Sequence, residues 1–283
     1  MLAGIVWLFV CLPFLLGVGG WRMEVKDHAN YYRYDSDKRI DEILDSLDFS
    51  NATKIPQRDR LTYKNGYRAT VASIFVDIIS SSELTNLAYQ ADLAKVYRCF
   101  ISECTAIMKS HEKCREISIQ GDCVWSVFDL DNPCTELDTL CDIAFEIISM
   151  IKRLNVKLRG NYLPEIQVGI GMDYGSSLMV QAGYKGSGIK DVVWMGDVVN
   201  HASKLSGKAG RDGLASILIS QEFWNRLSGT YKFCFEEIYL DGAIGYHSNS
   251  IYYNMKQASV DAGAGLGFQL GGARGLLDLI ERG

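Results

Sequence analysis

Residues 67–79 form an apolar run rich in β-branched side chains, among them Val71, Ile74, Val76, Ile78 and Ile79, without strict apolar–polar alternation. A strand with one wet face alternates, so this stretch reads as a central strand buried on both faces. It carries Asp77 near its end. A buried carboxylate without a partner is costly. Asp77 therefore either caps the turn at residues 80–83 or serves a ligand. For an Asp considered alone, the cap is the more common use.

The elements around this strand set the fold expectation. A helical patch spans 37–47, with Ile40, Ile43, Leu44 and Leu47 at helix spacing. Asn65-Gly66 marks a turn before the strand. A helix opens at Ser82 and Glu83, with Leu84, Leu87, Ala91, Ala94, Tyr97, Ile101, Cys104 and Met108 on one face. Strands at 116–119 and 123–129 flank the turn Gln120-Gly121-Asp122, which makes a tight hairpin. Asn132-Pro133 starts a second long helix, striped by Leu137, Leu140, Ala144, Ile147, Ile151 and Leu154. Strands at 166–172 and 177–182 are expected around Tyr174-Gly175, and another at 190–194. Asp197 is expected to cap a helix reaching about Lys208, with a further strand at 217–219. The order β-α-β-β-α-β predicts an α+β fold of the split β-α-β, ferredoxin-like kind, with one antiparallel sheet and helices on one face.

The length of 283 residues suits one large domain with small additions, and 48% hydrophobic residues supply a sizeable core. A net charge of −5 argues against a nucleic-acid partner. Eight scattered cysteines form no C-x-x-C pair, so they read as reduced, mostly buried thiols in the cytosol. Residues 5–19 are almost wholly apolar, the length of a signal-peptide core or a short anchor. No Lys or Arg precedes them, and the chain turns polar at Met23, which favours a translation start there over an anchor. The expected division is 1–22 as that apolar segment, 23–66 as an extension, 67–257 as the main domain and 258–283 as a Gly-rich tail.

What shifts the balance for Asp77 is its pairing with Asp122. In the expected fold the first strand lies beside the hairpin, so both carboxylates can point at one spot. Two carboxylates close together repel unless a cation sits between them. Hard oxygen ligands suit Mg²⁺ or Mn²⁺. Asn200 and Lys204, spaced i, i+4, share a helix face, where an exposed polar stripe is the commoner meaning. The loop 182–190 holds three glycines with Lys185 and Lys190 and could present N–H groups to phosphate, although a plain solvated hairpin loop is the simpler reading. The histidines show no metal spacing.

In this order, Ser73-Ile74-Phe75-Val76-Asp77-Ile78, Gly121-Asp122-Cys123-Val124-Trp125 and Trp194-Met195-Gly196-Asp197-Val198-Val199-Asn200 resemble the class III nucleotidyl cyclase homology domain over about residues 67–227. The resemblance implies two divalent ions held by Asp77, Asp122 and the backbone carbonyl of Ile78. It implies Asn200 and Lys204 as the transition-state pair, and a head-to-tail homodimer whose sites combine residues of both chains. Lys204 stands where the family usually has Arg; it keeps the charge and loses the planar fork. The purine-reading positions hold Ser118 and Val193, beside Trp194, and lack the charges that read a purine. The wider phrases, with Ala182-Gly183-Tyr184-Lys185-Gly186-Ser187-Gly188-Ile189, look like the pyrimidine cyclases of the bacterial Pycsar anti-phage system. That likeness implies conversion of CTP to 3′,5′-cyclic CMP and diphosphate, with UTP to cUMP as the alternative, and a separate effector activated by the product. An adenylate or guanylate cyclase, or a non-catalytic nucleotide-binding domain of the same fold, are the competing readings.

Overall fold

The computed structural model describes residues 29–45, 48–87 and 89–251. The apolar segment 1–22 and the Gly-rich tail 258–283 lie outside the described residues. The long apolar run is strand β2 (Asn65–Ile78), preceded by helix α1 (Arg33–Leu44) and strand β1 (Asp48–Asn51). Then come α2 (Ser81–Leu87), α3 (Gln90–Lys109), the hairpin β3 (Cys114–Gln120) and β4 (Cys123–Phe128), and α4 (Pro133–Gly160). β5 (Val168–Gln181), β6 (Val192–Met195) and α5 (Asp197–Lys208) follow. β7 (Ile217–Ser220), the short helices α6 (Gln221–Asn225) and α7 (Gly229–Lys232), and the hairpin β8 (Glu236–Leu240) and β9 (Ala243–Ser248) end the described chain.

β2 and β5 are the spine, paired antiparallel from Gly66 with Val180 to Ile78 with Val168. β4 lies on the other side of β2 and β3 outside it, so the core reads β3-β4-β2-β5, the split β-α-β order expected from the sequence. β7, β9 and β8 extend the sheet beyond β5. β1 pairs parallel to the start of β2, and β6 pairs with the end of β5.

The sheet is covered on both faces, not one. Ile74, Val76 and Ile78 pack with Phe100, Cys104 and Met108 of α3 and Leu140, Ala144 and Ile147 of α4. Val71 and Phe75, on the other face, pack with Val127, Trp194, Val198 and Ala202, and with Ile55 and Leu61 of the N-terminal extension. The physical reason was visible in β2: a strand apolar on both sides needs cover on both. Each Leu or Ile fully buried here contributes about 1.5–3 kcal/mol.

Four other expectations change. The helix expected from Ser82 is broken into α2 and α3, and the buried stripe of α3 is Val96, Phe100, Cys104 and Met108, with Ala91 and Ala94 exposed. β5 runs unbroken through Tyr174-Gly175 instead of turning there. The residue before α5 in cap position is Gly196, at φ 140°, and Asp197 is the first helical residue, with no side-chain cap bond. α1 begins at Arg33 and buries none of its residues.

Two glycines in the first half of β5 let a helix approach the strand closely. α5 lies directly across them. A Cβ on Gly171 would fall deep inside contact distance of the Ala202 carbonyl oxygen and the Ser206 amide nitrogen, and one on Gly169 would meet the Ala209 carbonyl oxygen at 2.6 Å. These glycines admit a helix backbone against the strand. Gly171→Ala is expected to lift α5 and lower stability by about 1–3 kcal/mol, the usual cost of overpacking. A thermal or urea melt equal to that of the wild type would contradict this packing.

Candidate active site

β2 and the β3–β4 hairpin bring the two predicted carboxylates together. Asp77 pairs in register with Cys123 of β4, and Asp122 is the second residue of the two-residue turn immediately before Cys123. Gly121, at φ 62°, supplies the left-handed conformation that turn needs. Burial, and then the Asp122 charge, push the Asp77 pKa above its ordinary value, while Arg211 pulls it back. The Cys123 thiol is pushed up to about 12 by burial, then by Asp77 and Asp122. The Asp77 carboxylate takes its hydrogen bond from Arg211 Nη2 at 3.2 Å and does not cap the start of α2. The Ser80 carbonyl accepts the Glu83 and Leu84 amides there, with Ser80 itself at φ 55°.

Ile78, 1% exposed, buries its side chain in the α3/α4 core, so only its carbonyl is available to the site. Among the described residues no group of three or more His, Cys, Asp or Glu side chains could hold a metal ion. Two carboxylates and a carbonyl still fit a hard divalent cation of the Mg²⁺ kind, which binds through one or two carboxylates and takes its remaining ligands from water and substrate phosphates.

Asn200 and Lys204 are exposed on α5, and Val198, Val199, Ala202, Leu205 and Ser206 are its buried side. Within one chain they point away from the sheet that carries Asp77 and Asp122. Lys185 is exposed in the loop after β5, at the end of that strand opposite Gly169, the register partner of Asp77. In this loop Ser187 Oγ accepts the Tyr184 and Ile189 amides, so part of its N–H supply is spent internally.

Of the base-reading candidates, Ser118 lies on the same face of β3 as Glu116, two residues away. Trp194 is 6% exposed and donates its indole N–H to Glu116 Oε2 at 3.0 Å, so β6 curls over the face to the outer hairpin. Val193 alternates to the opposite side of β6 and is exposed. The structure thus brings Ser118 and Trp194 into one neighbourhood and leaves Val193 outside it. A depression along α1, lined by Tyr34, Asp37, Lys38, Asp41 and Lys64 among others, includes none of these residues.

Three interactions escaped the sequence. Glu116 is buried, paired with Arg58 at 2.7 Å from the N-terminal extension. Asp173 of β5 is buried and accepts hydrogen bonds from the Tyr174 amide, the Ser220 hydroxyl and His201 Nδ1, the last at 3.0 Å. Arg211 reaches Asp77 across 134 positions of sequence. None leaves a periodic signal; the only local cue was a polar residue inside or beside an apolar run.

A family model described as the adenylate and guanylate cyclase catalytic domain matches residues 64–256. A uridylate cyclase of Treponema porcinum is 38% identical over 211 residues, covering 73% of this chain and 73% of that protein. A second uridylate cyclase, of Gulbenkiania mobilis, is 37% identical over 212 residues, covering 72% and 82%. Among solved structures, a bacterial light-regulated adenylyl cyclase superposes with TM-score 0.55 at 20% identity, over 64% of this chain and 91% of that one. The adenylyl cyclase CyaB from P. aeruginosa gives TM-score 0.55 at 19% identity, over 65% and 96%. At such identities the structural likenesses speak for the fold.

The contact of His201 with Asp173 generates a pH test. The hydrogen bond that His201 donates to Asp173 raises the His201 pKa above its ordinary 6.5; Asp197 and Asp241 share its surroundings, and burial and Lys204 oppose. A raised histidine pKa stabilises the fold fully below the unfolded value and loses that contribution as pH rises through the folded one. The difference in melting temperature between wild type and His201→Gln should be largest below about pH 6 and shrink through neutrality. A difference independent of pH would rule out the charged pair.

Proposed function

The chain belongs to the adenylate and guanylate cyclase catalytic domain family, and on that footing we propose that it is a pyrimidine nucleotide cyclase acting on UTP, with CTP as the second reading. The observation that carries the chemistry is the meeting of Asp77 and Asp122 at the end of β2, close enough for one charge to raise the other's pKa. The substrate class rests on the two uridylate cyclases at 37–38% identity, and on Ser118 and Val193 at the positions where a purine would be read. Those relatives tip the base toward UTP, whereas the sequence phrases alone favoured CTP.

In this reading Asp77, Asp122 and the Ile78 carbonyl would hold two divalent ions, Mg²⁺ or Mn²⁺. When bound, these ions supply charge neutralisation for the triphosphate and acidify the ribose 3′-hydroxyl. The 3′-oxygen forms a bond to the α-phosphorus, the bond from that phosphorus to the β-phosphate bridging oxygen breaks, and diphosphate leaves. The hydroxyl proton passes to solvent. Asn200 orients the ribose by a hydrogen bond, and the Lys204 ammonium meets the charge that develops on the phosphate. Because both project away from their own chain's aspartates, a second copy must present them, in a head-to-tail homodimer. Lys185 approaches the triphosphate only through such an arrangement. The cyclic pyrimidine monophosphate then serves as a signal for a separate effector, as the likeness to the anti-phage cyclases suggests.

The deciding experiment incubates the protein with ATP, GTP, CTP and UTP in Mn²⁺ and resolves products by mass. cUMP as the main product is expected; cCMP would select the second reading, and a purine product or none would discard the pyrimidine assignment. Asp77→Ala should abolish turnover, and Asn200→Ala should lower kcat by about 10²–10³-fold. Mixing Asp77→Ala with Lys204→Ala chains should restore activity through one intact composite site per heterodimer. A mixture as inactive as its components would refute the interfacial site.

A further inference from the structure

We infer that Arg211 is a positioning residue for the metal site, a fixed donor that orients the Asp77 carboxylate so that one oxygen stays open for a cation shared with Asp122. The inference rests on the proposed role of Asp77 as a metal ligand. Arg211 Nη2 donates to Asp77 Oδ2 at 3.2 Å. Its other terminal nitrogen, Nη1, donates to the main-chain carbonyls of Ser206 at 3.1 Å and Ala209 at 3.3 Å. The guanidinium is therefore pinned to the end of α5 before it meets the carboxylate. Both side chains are largely shielded, with 29% and 25% exposure.

An exposed arginine on a carboxylate is usually two mobile chains in loose contact, worth little. This one differs in having a brace. Gly210 precedes it at φ 71°, a left-handed conformation that favours glycine, and its backbone lies against the tip of Ile79 at the end of β2. The turn is closed by the Gly210 amide on the Ala215 carbonyl and the Leu214 amide on the Arg211 carbonyl. Lysine could keep the charge but not the fork that reaches a carboxylate and two carbonyls together. Groups that hydrogen-bond a ligating carboxylate fix its orientation, and removing them typically weakens metal binding by about 10–100-fold.

The contact has a second consequence. Ser206 and Ala209 belong to the end of the helix that carries Asn200 and Lys204. Arg211 therefore ties Asp77 of one site to the helix that, in the proposed dimer, serves the other.

The test titrates Mn²⁺ alone, without nucleotide, into wild type, Arg211→Met, Arg211→Lys and Asp77→Ala, reading free Mn²⁺ by electron paramagnetic resonance. Circular dichroism of the metal-free proteins confirms folding. Arg211→Met is expected to bind Mn²⁺ about 10–100-fold more weakly than wild type, and Arg211→Lys to remain weakened, because charge alone does not replace the fork. If Arg211→Met does not fold, Arg211→Lys carries the test. Affinity equal to or tighter than wild type in the folded variants would overturn the inference and leave the metal site standing. Wild type binding no better than Asp77→Ala would instead remove the metal reading, and Arg211 with it.

Discussion

The backbone contact of α5 with β5 is the constraint on which the rest of the site depends. Gly169 and Gly171 present no side chain, so the helix backbone settles onto the strand itself, closer than any other residue would permit. That depth sets where everything on α5 can reach. It places His201 against the buried Asp173, and it sets the end of the helix beside Asp77, where Arg211 closes the gap. Were the helix held a side chain's width farther out, neither polar contact could form, since hydrogen bonds weaken steeply beyond their narrow distance range.

The polar groups under this helix fall into two kinds. Asp173 is satisfied by three donors within the chain and reads as part of the frame. Asp77 is not. It is half-buried, faces another carboxylate and, among the described residues, has Arg211 as its side-chain partner; burial and the Asp122 charge still disfavour its ionised form. A folded-state carboxylate pKa above the unfolded value means that stability falls as pH rises through that interval. A fold assembled only for stability would not gather charge in this way. A divalent cation would remove the conflict that Arg211 relieves only in part, which makes the pair a stronger indicator of ligand than either aspartate's position alone.

Much of the core was legible because its signals are local. The unbroken apolar run of β2, the Gly121-Asp122 turn and the stripe of α4 each report a structure from a few neighbouring residues, and together they yield the β3-β4-β2-β5 order. Asp77 and Asp122 were legible for the same reason, as carboxylates placed at known points of adjacent strands. The failures were non-local. Tyr174-Gly175 carries turn chemistry, yet both residues pair in register with Ala72 and Val71 of β2, and that pairing overrides the local signal. The β8–β9 hairpin was missed because exposed residues such as Tyr239 and Ile244 blur its alternation. Trp194 finds Glu116 across 78 positions, a pairing that no window of sequence contains.

α5 has two uses that its geometry keeps apart. Its inner side is committed: Ala202, Leu205 and Ser206 lie on the sheet, and its last turn supplies the carbonyls that steady Arg211. Its outer side carries Asn200 and Lys204, four residues apart on one exposed face. A helix cannot turn both sides to the same ligand, because side chains at i and i+4 stay on one face of the cylinder. If Asn200 and Lys204 act on a nucleotide held by Asp77 and Asp122, that nucleotide must be held by another chain. The monomer then contains all the groups of the reaction in an arrangement that cannot perform it, and assembly of two copies becomes the step that creates catalysis.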